Sequence, residues 1–179
     1  ISMPDIVYNS GLHLIHGKSG IGKSTLVKSI ISKAGILNGD LFIDTEPSIR
    51  PILLGQSNGV SFTNEDATLK AGTIYENVNF GRNFTKQEVA KVLKIVEFEI
   101  DSGQHTADYE ISSGGLSLST GQRQKVRLAR ALINSPSFLI MDESFNGMDL
   151  PSVQRICKKL QTLPCITLII THDMSIREF

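Results

Sequence analysis

The sequence predicts an α/β domain built on a mostly parallel core sheet. Three observations carry that expectation. Short apolar runs of strand length recur at Leu12–Ile15, Phe138–Met141 and Ile166–Ile170. They read as strands buried on both faces. Segments with helical spacing separate them, and that alternation implies parallel strands joined by helical crossovers. The first run is followed at once by Gly17-Lys18-Ser19-Gly20-Ile21-Gly22-Lys23-Ser24 and then by the helical stretch Thr25–Ile31. A strand, a glycine-rich loop and a helix in that order form a phosphate-binding unit.

The loop has Walker A spacing, and each residue type has a physical task. Gly20 and Gly22 let successive backbone N–H groups turn into one hollow. Those groups and the helix N-terminus suit a polyphosphate. Lys23 brings an ammonium to the outer phosphates. The Ser24 hydroxyl suits Mg²⁺, with Thr25 beside it. Gly35 ends the helix, and residues 39–44 and 51–55 read as strands, the second ending at Gln56. Residues 57–70 read as polar and loop-like. Thr73 to Phe80 reads as a short helix. Thr85-Lys86-Gln87-Glu88 is a capping box, with Val89, Val92, Leu93 and Val96 at helical spacing behind it. Residues 97–115 are polar and turn-rich, so the whole stretch 57–115 is expected to lack a buried strand. Ser119 caps a helix over about 120–133. The Phe138–Met141 strand ends in Asp142-Glu143. Pro151 opens a helix closing near Leu163, and the last strand ends at His172.

Totals narrow the class. The chain has 179 residues, about one domain, with 18 Lys plus Arg against 18 Asp plus Glu. A balanced charge gives no support for nucleic acid as a partner. No apolar run reaches the ~18–20 residues that span a bilayer. The first residue is Ile1, which suggests a start inside a longer polypeptide. Cys157 and Cys165 are expected to be reduced thiols, and there is no metal-ligand spacing among His and Cys.

Leu118-Ser119-Thr120-Gly121-Gln122 resembles the LSGGQ signature of the ATP-binding cassette (ABC) ATPases. Six motifs follow that family's order: the Walker A loop, Gln56 as Q-loop, the signature, Asp142-Glu143 as Walker B, Asn146-Gly147-Met148-Asp149 as D-loop, and His172 as H-loop. The resemblance implies a P-loop NTPase core at about 1–56 and 134–179, a helical signature subdomain at about 57–133, and an N-terminal antiparallel β part cut away. It implies ATP and Mg²⁺ as ligands. Gly17, Ser19, Gly20, Gly22, Lys23, Ser24, Thr25, Ser119, Gly121, Gln122 and Asp149 would contact nucleotide. Ser24, Gln56 and Asp142 would serve the metal. Glu143 would act as general base, with His172, Lys23 and Gln56 assisting. A second cassette, of like or unlike chain, would complete each ATP cleft head to tail.

Gly72-Thr73-Ile74-Tyr75-Glu76-Asn77-Val78 resembles the corresponding GTIxENI stretch of exporter-type cassettes. That implies transmembrane domains upstream, in the same polypeptide, and a place on the cytoplasmic face of a membrane. Alternatives within the family are a soluble cassette of the translation or DNA-maintenance type, and a regulatory cassette that binds ATP without turnover. The sequence departs from the family at Thr120, where the signature has Gly. Ser112 and Ser113 stand where exporters carry Gly-Glu. No well-placed adenine-stacking aromatic precedes the Walker A strand, Tyr8 being too near Gly17.

Overall fold

The computed structural model describes residues 9–18, 20–26, 60–100, 106–173 and 176. Among these, four parallel strands form one sheet in the order β1-β6-β5-β2: β1 is Gly11–His16, β2 Val60–Asn64, β5 Phe138–Asp142 and β6 Ile166–Thr171. A second, two-stranded antiparallel sheet pairs β3 (Gly72–Thr73) with β4 (Glu110–Ile111). The helices are α1 (Ile74–Asn79), α2 (Lys86–Ile95), α3 (Thr120–Leu132) and α4 (Leu150–Gln161). A helical turn at residues 23–26 follows the glycine loop. No helix among the described residues is long and apolar enough to cross a membrane.

Apolar side chains on alternate positions of β5 and β6 feed two cores. Phe138, Ile140, Leu168 and Ile170 pack on one face of the sheet. Leu139, Met141 and Ile169 join the larger cluster on the other face, with residues of all four helices. Burial on both sides is why these runs are continuously apolar.

Helix starts follow local chemistry. Thr73, Thr85 and Ser119 each accept a hydrogen bond from the backbone N–H three residues on, and the side chains of Glu76, Glu88 and Gln122 each accept one from the cap residue's N–H. Asp149 caps α4 by accepting from Ser152 N, with Pro151 in the first turn.

One sequence expectation is corrected. Residues 60–64, read as part of a polar loop, are a sheet strand paired in register with β5. The inward position is held by Thr63, 2% exposed, while Phe62 points outward at 41%. The usual apolar-inside signal is therefore inverted. The short β3–β4 pair was not foreseen either. The Gly35 helix end and the strands expected at 39–44 and 51–55 lie outside the described residues.

Asn77 ties this layer together. It is 2% exposed, and its amide donates to the carbonyls of Lys70 (2.9 Å) and Thr73 (3.0 Å). Its oxygen accepts from Lys70 N (2.9 Å) and from Arg130 Nη2 on α3 (3.2 Å). Arg130 also donates to the Asn77 and Thr68 carbonyls and lies 4.4 Å from the centroid of the Phe80 ring. Burial pulls the Arg130 pKa down to about 10, with Arg127 and Arg82 adding to the effect. Replacing Asn77 with Ala strands these groups, and we expect a loss of about 2–4 kcal/mol in unfolding free energy, measured by denaturant titration.

Candidate functional site

In a parallel sheet every strand points the same way, so the residues that follow the strands emerge along one edge. The register shows which ones. His16 pairs with Thr171, Asp142 with Ile170, and Asn64 with Asp142. Gly17 after β1, Glu143 after β5, His172 after β6 and Glu65 after β2 therefore share the C-terminal edge.

β1 and β5 are not neighbours. β6 lies between them, so Gly17 and Asp142 leave the sheet two strand spacings apart, roughly 10 Å. The loop turns back towards Asp142, with Gly20 at φ 82° and Gly22 at φ 103°. It closes the distance through Ser24, whose hydroxyl lies near enough to Asp142 to lower its pKa. Burial raises the Asp142 pKa, the negative charges of Glu143 and Glu65 push the same way, and Ser24 and Lys23 oppose them. Lys23 Nζ donates to the carbonyls of Gly17 (2.6 Å) and Lys18 (3.1 Å), which aims the ammonium across the mouth of the loop.

Glu143 carries backbone strain. Its φ is 51°, the left-handed region that a glutamate rarely adopts. Its N–H still donates to Ile170 O (2.9 Å), which extends the β5–β6 ladder by one step. The carboxylate is gripped from β6: His172 Nδ1 lies 2.9 Å from Oε1, and Thr171 Oγ1 3.4 Å from Oε2. His16 Nε2 reaches the His172 carbonyl at 3.3 Å. The hydrogen bond from His172 to Glu143, and the charge of that carboxylate, raise the His172 pKa.

The signature residues lie elsewhere on the surface of α3. Ser119 is exposed and forms the capping box with Gln122 (Ser119 N to Oε1, 2.9 Å; Gln122 N to Ser119 Oγ, 3.1 Å). Gly121 is buried against the loop before α4: a Cβ there would come within 2.6 Å of Gly147 O. Gly147 in turn faces Thr120 Cγ2 and Cβ, and Thr120 Oγ1 accepts from Arg123 Nη2 at 3.0 Å. Thr120 is thus a packing residue against the 146–149 loop. Asp149 is exposed, and the Ser152 side chain and N–H hold its pKa below the usual range.

The structure therefore gathers Gly17, Gly20, Gly22, Lys23, Ser24, Thr25, Asp142, Glu143 and His172 at one edge, and Ser119, Gly121, Gln122 and Asp149 around the α3–α4 junction. Ser19 and Gln56 lie outside the described residues. Sequence reasoning missed Glu65, the first residue beyond β2, whose carboxylate accepts from Asn146 Nδ2 at 3.1 Å. The signal was the pair Val60 and Phe62 in alternation just ahead of it. Cys157 and Cys165 are free and buried, and burial pushes the Cys157 thiol up to about 11, so neither is set up as a nucleophile.

The Glu143–His172 pair makes a pH prediction. The raised folded-state value means that the ion pair is fully formed below 6.5 and weakens as pH climbs through the elevated His172 pKa. An NMR titration of the His172 ring is expected to report a pKa above 6.5 in the wild type and a fall towards 6.5 in Glu143→Gln.

Comparisons with known proteins agree with this geometry. The family model described as ABC transporter matches residues 6–146. The chain is 32% identical over 162 residues to the SPbeta prophage-derived sublancin-168-processing and transport ATP-binding protein SunT of Bacillus subtilis (strain 168), covering 89% of this chain and 23% of that protein. It is 32% identical over 181 residues to the ABC transporter NFT1 of Saccharomyces cerevisiae (strain ATCC 204508 / S288c), covering 96% of this chain and 15% of that one. Among solved structures, a bacterial Atm1-family ABC exporter with ATP bound matches with a TM-score of 0.77 and 26% identity, over 95% of this chain and 30% of that chain. The chain thus spans less than a third of the length of each of these proteins. With its parallel sheet, its glycine loop and its paired acidic residues, it has the P-loop fold of the ABC ATPases and belongs to the ABC transporter family.

Proposed function

We propose that this chain binds and hydrolyses ATP with Mg²⁺ and works as one of two cassettes closing head to tail on two nucleotides. The observation that supports it best is the meeting of Lys23, Ser24, Asp142, Glu143 and His172 at one sheet edge. The loop N–H groups and Lys23 would hold the phosphates, Lys23 exchanging its loop carbonyls for phosphate oxygens.

The Ser24 hydroxyl and the Asp142 carboxylate lie near each other, and Ser24 lowers the Asp142 pKa. They are hard oxygen donors of the type Mg²⁺ takes. When bound, the ion neutralises charge on the phosphate oxygens. Gln56 is assigned to the same task. Glu65 adds a further negative charge at that corner.

Glu143 would take the proton from an attacking water. Its left-handed backbone and its grip by His172 and Thr171 fix the carboxylate before nucleotide arrives. His172 spends Nδ1 on Glu143, which leaves Nε2 to donate to the phosphate being cleaved. Ser119, at the exposed start of α3, with Gln122 and the Gly121 backbone behind it, would cap the nucleotide held by the partner cassette, with Asp149 beside them.

The relatives named above are transport ATP-binding proteins and an exporter. By that likeness the cassette closure would drive transmembrane domains from the cytoplasmic face of a membrane and move a substrate across it. The deciding experiment compares wild type with Glu143→Gln. ATP binding is expected to persist, turnover to fall by roughly 10²–10⁴-fold, and an ATP-dependent dimer to accumulate on sizing columns. Undiminished turnover would remove Glu143 from this role. Absence of an ATP-dependent dimer would refute the paired-cassette reading.

A further inference from the structure

Glu97 follows the end of α2 in a left-handed conformation, φ 53°, which is costly for a residue with a Cβ. Its carboxylate is 18% exposed and meets two cations of α4: Arg155 Nε at 2.5 Å and Lys159 Nζ at 3.0 Å. Its carbonyl accepts from Lys125 Nζ of α3 at 3.0 Å. One residue therefore binds three helices. The contacts run on towards the exposed edge. Arg155 Nη2 reaches Ser152 Oγ at 3.3 Å, and Ser152 N donates to Asp149 Oδ1 at 2.8 Å. On the α3 side, Lys125 lies on the same helix as Ser119 and Gly121, less than two turns along.

Glu97, Lys125, Ser152, Arg155 and Lys159 line an open groove of about 1040 Å³ beside α2, α3 and α4. The space is open to solvent, and across it Glu97 is the residue that touches both α3, through Lys125, and α4, through Arg155 and Lys159. At the other end of the junction the spacing is set by the close approach of Gly121 to Gly147. Two fixed points determine the angle between two helices.

We propose that Glu97 is a positioning residue that locks α3 against α4, so that Ser119 and Asp149 are presented to the partner cassette as one edge. The inference rests on the paired-cassette reading. It assigns Glu97 no contact with nucleotide, so its loss acts on closure and not on the first binding step.

The test uses the full chain, with Glu97→Gln, the double variant Arg155→Gln/Lys159→Gln, and the exchange Glu97→Arg/Arg155→Glu. Three quantities are read: binding of a fluorescent ATP analogue, ATP-dependent dimerisation in the Glu143→Gln background, and kcat against KM for hydrolysis. In the first two variants dimerisation and kcat are expected to fall about tenfold or more while nucleotide binding stays within about twofold, and the exchange recovers part of both. Unchanged dimerisation and kcat in a folded variant overturn the proposal. So does a loss of nucleotide binding in step with kcat, the mark of general structural damage. Should Glu97→Gln not fold, the double variant decides, since its two side chains are half-exposed. If Glu143→Gln alone forms no ATP-dependent dimer, the paired-cassette reading itself fails and takes this inference with it. A dimer in that control, with no change in the variants, overturns only the role of Glu97.

Discussion

The approach of the Ser24 hydroxyl to the Asp142 carboxylate, close enough to lower its pKa, is the join on which the rest depends. A parallel sheet supplies a common edge, but β6 separates the glycine loop from the acidic strand. Only a loop that turns back towards Asp142 brings hydroxyl and carboxylate together. The positive φ angles at Gly20 and Gly22 provide that bend. The intervening strand has its own use, because β6 carries Thr171 and His172 to the carboxylate of Glu143. One topological fact, a strand between two others, thus produces both halves of the site.

Charge is distributed unevenly around this edge. Asp142 is the partly buried carboxylate, with Glu143 and Glu65 near it and Lys23 and Ser24 opposing them. Glu143 leaves the strand in a left-handed conformation, and its carboxylate meets Thr171 and His172 at the end of β6. A left-handed glutamate costs on the order of 1 kcal/mol or more. The structure offsets that cost with a ladder hydrogen bond and two side-chain contacts at the strained residue.

Much of this was legible in the sequence, for physical reasons that differ by element. β5 and β6 are covered on both sides and so are written as unbroken apolar runs. α2 announces itself through a capping box and α3 through the Ser119 cap, both local chemistry. β2 was missed because Thr63 faces the packed side and Phe62 the open one, a pattern that hydropathy reads backwards. β3 and β4 have two residues each, too few for any periodicity. The site residues were legible by motif order, yet their partners were not. No spacing rule places His172 on Glu143, Glu65 on Asn146, or Glu97 between Arg155 and Lys159. Those contacts arise from strand order and from helices brought together by the core.

The approach of Gly121 to Gly147 has a consequence of its own. Main chain rests on main chain there, with no rotamer between the two that could hop. There is no room for a Cβ on Gly121, and the Thr120 side chain closes the space beside Gly147. The start of α3 and the loop ahead of α4 therefore behave as a single stiff hinge plate, and a lone methyl on either glycine would act as a wedge driven into it.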